Sequence, residues 1–280
     1  LVAPELPAQP LDEGTVACFH SFQVVLTHQI AFTGAAAWAA GVQAARAPVV
    51  VLCEDHSYPE PTWAEHLLAA HQGPWAVVGP AMRNGNPDTR VSWAEFFIDF
   101  GEWAYPSARG RRAHLPGHNS SYKREILLAY GDELARKLEA ETLLHWELGR
   151  QGHQLFLEPD AVTKHINFFT LHKTIGLHFW QGWEFASQRT AAWSRRRRLL
   201  WVLGSPLIPV VRLRRVYGEI KRRRRHYERP LLGPLAIICL LLLVDSCGQA
   251  AGIAFGPGNV YRRLSRYEHF VELRANKPAI

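Results

Sequence analysis

Pro48-Val-Val-Val-Leu-Cys53, followed at once by Glu54-Asp55-His56, is the stretch on which the fold turns. An unbroken apolar run rich in β-branched residues predicts a strand buried on both faces, as in a sheet covered by helices. Upstream, Gly34–Ala45 is Ala-rich with helical spacing, and its small side chains suit close packing on a sheet. Phe22–Leu26 suits a short strand before it. Strand, helix and strand at this spacing predict an α/β fold whose sheet is mostly parallel, Rossmann-like and flanked by helices. Residues 1–14 read as a Pro-rich loop leaving a strand, and Leu1-Val2 as that strand's tail, so the domain is expected to be incomplete at its N-terminus.

Downstream of His56 a Pro-containing loop leads to a helix over Trp63–His71, and Ala76–Gly79 suits a strand. The aromatic-rich stretch 92–104 reads as helical, 109–121 as a loop, and Lys123–Tyr130 as a helix. One long helix is expected from Asp132 to Gln151, with Gly152 as its stop. Leu155–Leu157 and Ala161–Thr163 suit short strands on either side of Pro159.

Charge divides the chain in two. Residues 1–188 carry 13 Lys and Arg against 20 Asp and Glu, a net of −7, whereas residues 189–225 carry 13 against 1, a net of +12. An acidic globular unit (1–188) is thus followed by a basic, apolar and helical region (189–280). Cys18, Cys53, Cys239 and Cys247 are scattered without a CxxC pair. They are expected to be reduced and mostly buried, which excludes a disulfide framework and a cysteine zinc site. The N-terminus has no basic segment followed by an apolar run, so it does not read as a signal peptide.

Three clusters carry chemistry. Glu54-Asp55-His56 stands at the tip of the buried strand, where open α/β sheets bind ligands, and its donors suit a divalent cation bridging two phosphates. The bland reading is a turn that is polar because the strand has ended. Leu115-Pro-Gly-His-Asn-Ser-Ser-Tyr-Lys-Arg-Glu125 runs from a loop into a helix and offers backbone and side-chain donors, or else an ordinary cap. Glu139 and Glu141 approach an apolar stripe of Leu143, Leu144 and Leu148. A carboxylate there suits a general base as readily as a solvated helix face. Further on, Glu158-Pro-Asp-Ala-Val-Thr-Lys-His165 ends in a lone histidine, a residue type that is usually structural.

In this order and spacing the clusters resemble the family-2 inverting glycosyltransferases with the GT-A fold, over roughly residues 15–170. The resemblance implies a nucleotide-sugar donor, a divalent cofactor (Mg2+ or Mn2+) and attack by an acceptor hydroxyl on the anomeric carbon. It assigns the donor diphosphate to Glu54, Asp55 and His56, the metal to Asp55, His56 and His165, and the acceptor-side loop to Gly117, His118 and Asn119. The catalytic base position falls on Glu141. The sequence departs from the family in reading Glu-Asp-His for the usual Asp-x-Asp, and Glu-Ala-Glu for an adjacent Glu-Asp. It also lacks the first strand and helix that hold the nucleotide base.

The C-terminal third interleaves arginine clusters (Arg195–Arg198, Lys221–Arg225) with the apolar runs Leu199–Val211 and Leu231–Val244. That pattern predicts helices lying on or dipping into an anionic membrane, with a buried core helix as the alternative. The second run crosses a bilayer only if extended to Phe255, past Asp245 and Gln249. The expectation is a membrane-associated enzyme on the cytoplasmic face, using a glycan or lipid-linked acceptor in cell-envelope synthesis, with no nucleic-acid partner. A non-catalytic membrane-bound relative, a nucleic-acid binder and a metallohydrolase are the competing classes.

Overall fold

The computed structural model describes residues 2–3, 13–17, 19–26, 34–117, 119–227 and 233–268. Leu1, Cys18, His118 and the start of the second apolar run, Leu231 and Leu232, lie outside the described residues. Near the N-terminus β1 (Val2–Ala3) pairs in parallel with β2 (Val25–Leu26), and α1 (Glu13–Ala17) lies between them in the chain. The helix α2 (Gly34–Ala44) leads into β3 (Val49–Val51), and β4 (Ser57–Pro59) leads into α3 (Trp63–Ala70). Then come β5 (Val77–Asn84), α4 (Arg90–Asp99), β6 (Gly110–Arg112), β7 (Ser121–Lys123) and α5 (Arg124–Leu128). The domain continues through α6 (Leu134–Leu138), α7 (Glu141–Arg150) and β8 (Leu155–His165).

A sheet flanked by helices is present, but its pairing is mixed where a mostly parallel sheet is expected. The order is β3-β7-β5-β8-β4, with β6 also on β8, and only β5 and β8 pair in parallel. Strands β3, β5 and β8 still point the same way, because β7 is antiparallel to both β3 and β5. The cause is local. The loop before β7 returns to the carboxyl end of β3, where the Asn119 amide donates to the Leu52 carbonyl over 2.6 Å, so the next strand must run back down.

Two further expectations are corrected. The helix expected over 132–151 is broken at Ala140 (φ −140°, ψ 78°). Leu134 and Leu138 are one turn apart, as are Leu144 and Leu148, and all four are buried. The six-residue step between the pairs would turn them to different faces of a continuous helix, and the break aims both at one core. The two short strands around Pro159 form one strand, β8, because the bulge opposite Pro80 and Ala81 takes up Pro159 without needing its missing N–H. The cysteines Cys53 and Cys247 are exposed and Cys239 is half-buried, all three unpaired, so they are not core residues.

The C-terminal helices are α8 (Leu171–Arg189), α9 (Arg195–Gly204), α10 (Ile208–Arg223), α11 (Leu235–Phe255) and α12 (Val260–Glu268). Val216, Ile220, Ile238, Leu241 and Leu242 belong to the same hydrophobic core as Phe96, Phe97 and Leu157, so this region shares the core of the sheet domain. A buried His178–Glu95 pair at 2.8 Å ties α8 to α4. The apolar helix α11 is 21 residues long, with mean hydropathy 1.9 over its most apolar window and half of that window buried.

The α8–α11 contact is a backbone approach. A Cβ at Gly182 would meet the Asp245 carbonyl oxygen, one at Gly248 that of Phe179, and one at Gly252 that of Trp183. Atoms of fixed backbone cannot swing aside as side chains do. Gly248→Leu is therefore expected to push the helices apart and destabilise the fold by roughly 1–3 kcal/mol or more, measured as a lower thermal midpoint. Gly204, where an added Cβ would meet nothing within 4 Å, should tolerate Ala with little change.

Candidate active site

The carboxyl ends of β3 and β8 meet through β4, whose Ser57 is in register with His165, while Asn84 at the end of β5 is also in register with His165. That geometry brings residues over a hundred positions apart to one point. His56 Nε2 stands 3.0 Å from His165 Nε2, and Glu54 Oε2 lies 3.2 Å from the first and 3.4 Å from the second.

The outer nitrogens fix the tautomers. His56 Nδ1 lies 2.8 Å from Asp55 Oδ1, an acceptor only, and His165 Nδ1 lies 3.0 Å from Asn167 Oδ1. The Asn167 amide is oriented by its own Nδ2, which donates to Asn84 Oδ1 over 3.0 Å. Both Nδ1 atoms therefore carry hydrogen, and both Nε2 lone pairs face each other and a carboxylate. Such a convergence is stable only with positive charge at its centre. Donors about 2.1 Å from a shared cation stand about 3.0 Å apart at right angles and about 3.4 Å apart in a tetrahedron, the spread found here. Glu54, His56 and His165 thus fit a divalent cation, and two imidazoles favour a transition-metal ion over Mg2+.

Asp55, expected as a ligand, points elsewhere: its side chain is 82% exposed and holds the outer nitrogen of His56. Glu54, expected against the diphosphate, takes the place in the cluster. The remaining support was not anticipated from the sequence. Asn119, at φ 68°, donates from Nδ2 to Ser57 Oγ over 3.0 Å, and Ser57 Oγ donates to Glu54 Oε2 over 3.4 Å. Asn84, Asn86 and Asn167 form a hydrogen-bonded group beneath His165, with the Asn86 side chain and the Asn167 backbone bonded at 2.8 Å in both directions. The signal was the Asn84-Gly-Asn86-Pro turn and an Asn two residues past His165. Nothing along the chain says that these two segments meet.

Glu141 opens α7 immediately after the break at Ala140. Its side chain lies over Gly117, where a Cβ would come within 2.7 Å of Glu141 Cβ, so the loop can pass only as glycine. The loop and the acidic helix are thereby joined at a point that lines the same cleft as Glu54, His56 and His165. The Glu141 carboxylate and, above all, burial hold the Tyr122 hydroxyl well above the usual phenol range.

One turn along α7, His145 braces this corner: the Leu115 amide donates to Nδ1 over 3.3 Å, and Nε2 lies 2.9 Å from the Tyr122 hydroxyl. Burial, with the nearby His114, lowers its pKa to about 3. Folding on a neutral imidazole gives stability that is complete above the unfolded pKa near 6.5 and is lost as pH falls toward 3, at about 1.4 kcal/mol per pH unit. The His145 ring signals in NMR should not titrate between pH 5 and 8. A midpoint in that window would show that the imidazole is not held as described.

Residues 15–131 match the family model of Glycosyl transferase family 2. The chain carries a family-2 glycosyltransferase domain. No curated protein matches the chain. The match includes Glu54–His56 and Gly117–Asn119 but ends before Glu141 and His165. In the glycosyltransferase domain it is therefore the fold, through β8 and α7, that brings these last two to the cleft.

Proposed function

We propose that the chain transfers a sugar from a nucleotide-sugar donor to an acceptor hydroxyl, with inversion, at the cytoplasmic face of a membrane and in the service of cell-envelope or lipid-linked glycan synthesis. The observation that carries this is the convergence of two imidazoles and a carboxylate in the cleft that Glu141 also lines. Glu54, His56 and His165 would hold a divalent cation on the donor side of the cleft, with Asp55 and Asn167 fixing the two rings. A cation there neutralises the charge that develops on the departing nucleoside diphosphate. Glu141 accepts the acceptor's hydroxyl proton as the acceptor oxygen bonds to the anomeric carbon and the carbon–oxygen bond to the diphosphate breaks. Gly117 and Asn119 shape the acceptor side; His118, expected with them, lies outside the described residues.

Membrane association is supported by the apolar helix α11 and by exposed Leu199, Leu203, Leu207 and Val210 beside the arginines of α9 and α10. The test is turnover: the full chain, given nucleotide sugars, Mn2+ and native membranes, should release nucleoside diphosphate, and NMR of the product should show the anomeric configuration opposite to the donor's. A retained configuration would remove the single-displacement role of Glu141. Release that persists under chelation would remove the cation's.

A further inference from the structure

The cleft that holds Glu54, His56, His165 and Glu141 does not end at the sheet. It has a volume of about 1910 Å³ and continues along α8 to α9 and α10, where Leu200, Leu207 and Val211 line it. These three are exposed, at 61%, 67% and 56%, and adjoin the exposed Leu199, Leu203 and Val210. One continuous surface therefore runs from an apolar ridge to the catalytic corner.

Between the two stands Arg189. Its guanidinium lies 4.7 Å from the centre of the Trp201 ring, 5.7 Å from Trp193 and 5.8 Å from Trp146. Trp146 lies on α7, the helix that begins with Glu141. Among the described residues Arg189 meets no carboxylate and makes no hydrogen bond, so its five N–H donors are unused. Burial and the nearby Arg197 lower its pKa, the mark of a cation partly stripped of water without an anion in return. Arg215, which also lines the cleft, is exposed and likewise has no carboxylate partner among the described residues. An arginine fork held rigid by indoles matches the oxygens of a phosphate.

We propose that the acceptor is a phosphate-bearing membrane lipid that enters from the α9–α10 side, its chain along the apolar ridge, its phosphate on Arg189 and Arg215, and its hydroxyl-bearing end toward Glu141. The acceptor role rests on the transferase reading; the lipid site itself does not. An apolar ridge flanked by arginines matches a bilayer surface carrying anionic headgroups. A free phosphate compound would use the arginines but not the ridge.

The experiment has two arms, both on the full chain. In the first, the protein is sedimented with phosphatidylcholine vesicles, with and without phosphatidic acid. The wild type should bind, more tightly with phosphatidic acid. Leu203→Asp with Leu207→Asp, at positions that are exposed and so tolerated by the fold, should lower binding at least tenfold. Arg189→Gln should lose several-fold on phosphatidic acid and little on phosphatidylcholine alone. Wild-type binding by the double variant, an indifferent Arg189→Gln, or displacement by millimolar glycerol phosphate would overturn the lipid site. In the second arm, labelled nucleotide sugars are given with a total lipid extract of native membranes or with its water-soluble glycans. Label in the organic phase is expected. Label only in water-soluble product would overturn the lipid acceptor and leave the transferase standing, whereas no label in either, with vesicle binding intact, would reject the acceptor role and the transferase together.

Discussion

Glu141→Gln will lower transfer by about 10²- to 10⁴-fold while leaving cation and donor affinity within about twofold. The substitution keeps the shape of the side chain that packs on Gly117, so the loop and the start of α7 stay in place. What it removes is the basic oxygen, and glutamine cannot take the proton of an attacking hydroxyl. Steady-state rates with saturating donor, set beside donor affinity by calorimetry, check this. Wild-type turnover would show that the proton leaves by another route. A matching loss of donor binding would show that Glu141 holds the donor and is not the base.

His165→Ala will abolish cation binding, lowering affinity for Mn2+ by at least about 100-fold, and metal-dependent donor binding will go with it. Among the described residues the histidine supplies one of three converging donor atoms, and the alanine leaves His56 and Glu54 of that set to hold the ion. Asp55→Ala is expected to cost less, about 10- to 100-fold, since Asp55 acts through the outer nitrogen of His56. This order is diagnostic. Were Asp55 the ligand that its place in the triplet Glu54-Asp55-His56 implies, Asp55→Ala would be the more damaging of the two. Mn2+ affinity measured by electron paramagnetic resonance for the three proteins decides between them.

Local periodicity made much of this molecule legible. The β-branched run at Val49 gave a strand, the Ala-rich and Trp63 segments gave α2 and α3, and Gly152, at φ 90°, does end a helical stretch. The sheet's mixed sense was not legible, because it depends on the loop before β7 docking on Leu52, a contact across more than sixty residues. The break at Ala140 was legible in principle, since the six-residue step from Leu138 to Leu144 cannot keep one face of a helix. Within the site, residue types were readable but directions were not. Adjacent side chains at the end of a strand point to different sides, so which of Glu54 and Asp55 faces His165 depends on how Ser57 and Asn119 hold the turn. The asparagine group beneath His165 belongs to the same class of non-local fact.

The most direct test of the central claim, that this cleft binds a nucleotide sugar through a cation held by Glu54, His56 and His165, is calorimetry. The full chain is titrated with a panel of nucleotide sugars, with and without Mn2+. One donor should bind with Mn2+ present, fail to bind under chelation, and fail with His165→Ala under either condition. Well-folded protein that takes up no donor with Mn2+, or that binds a donor equally well without it, would contradict the account.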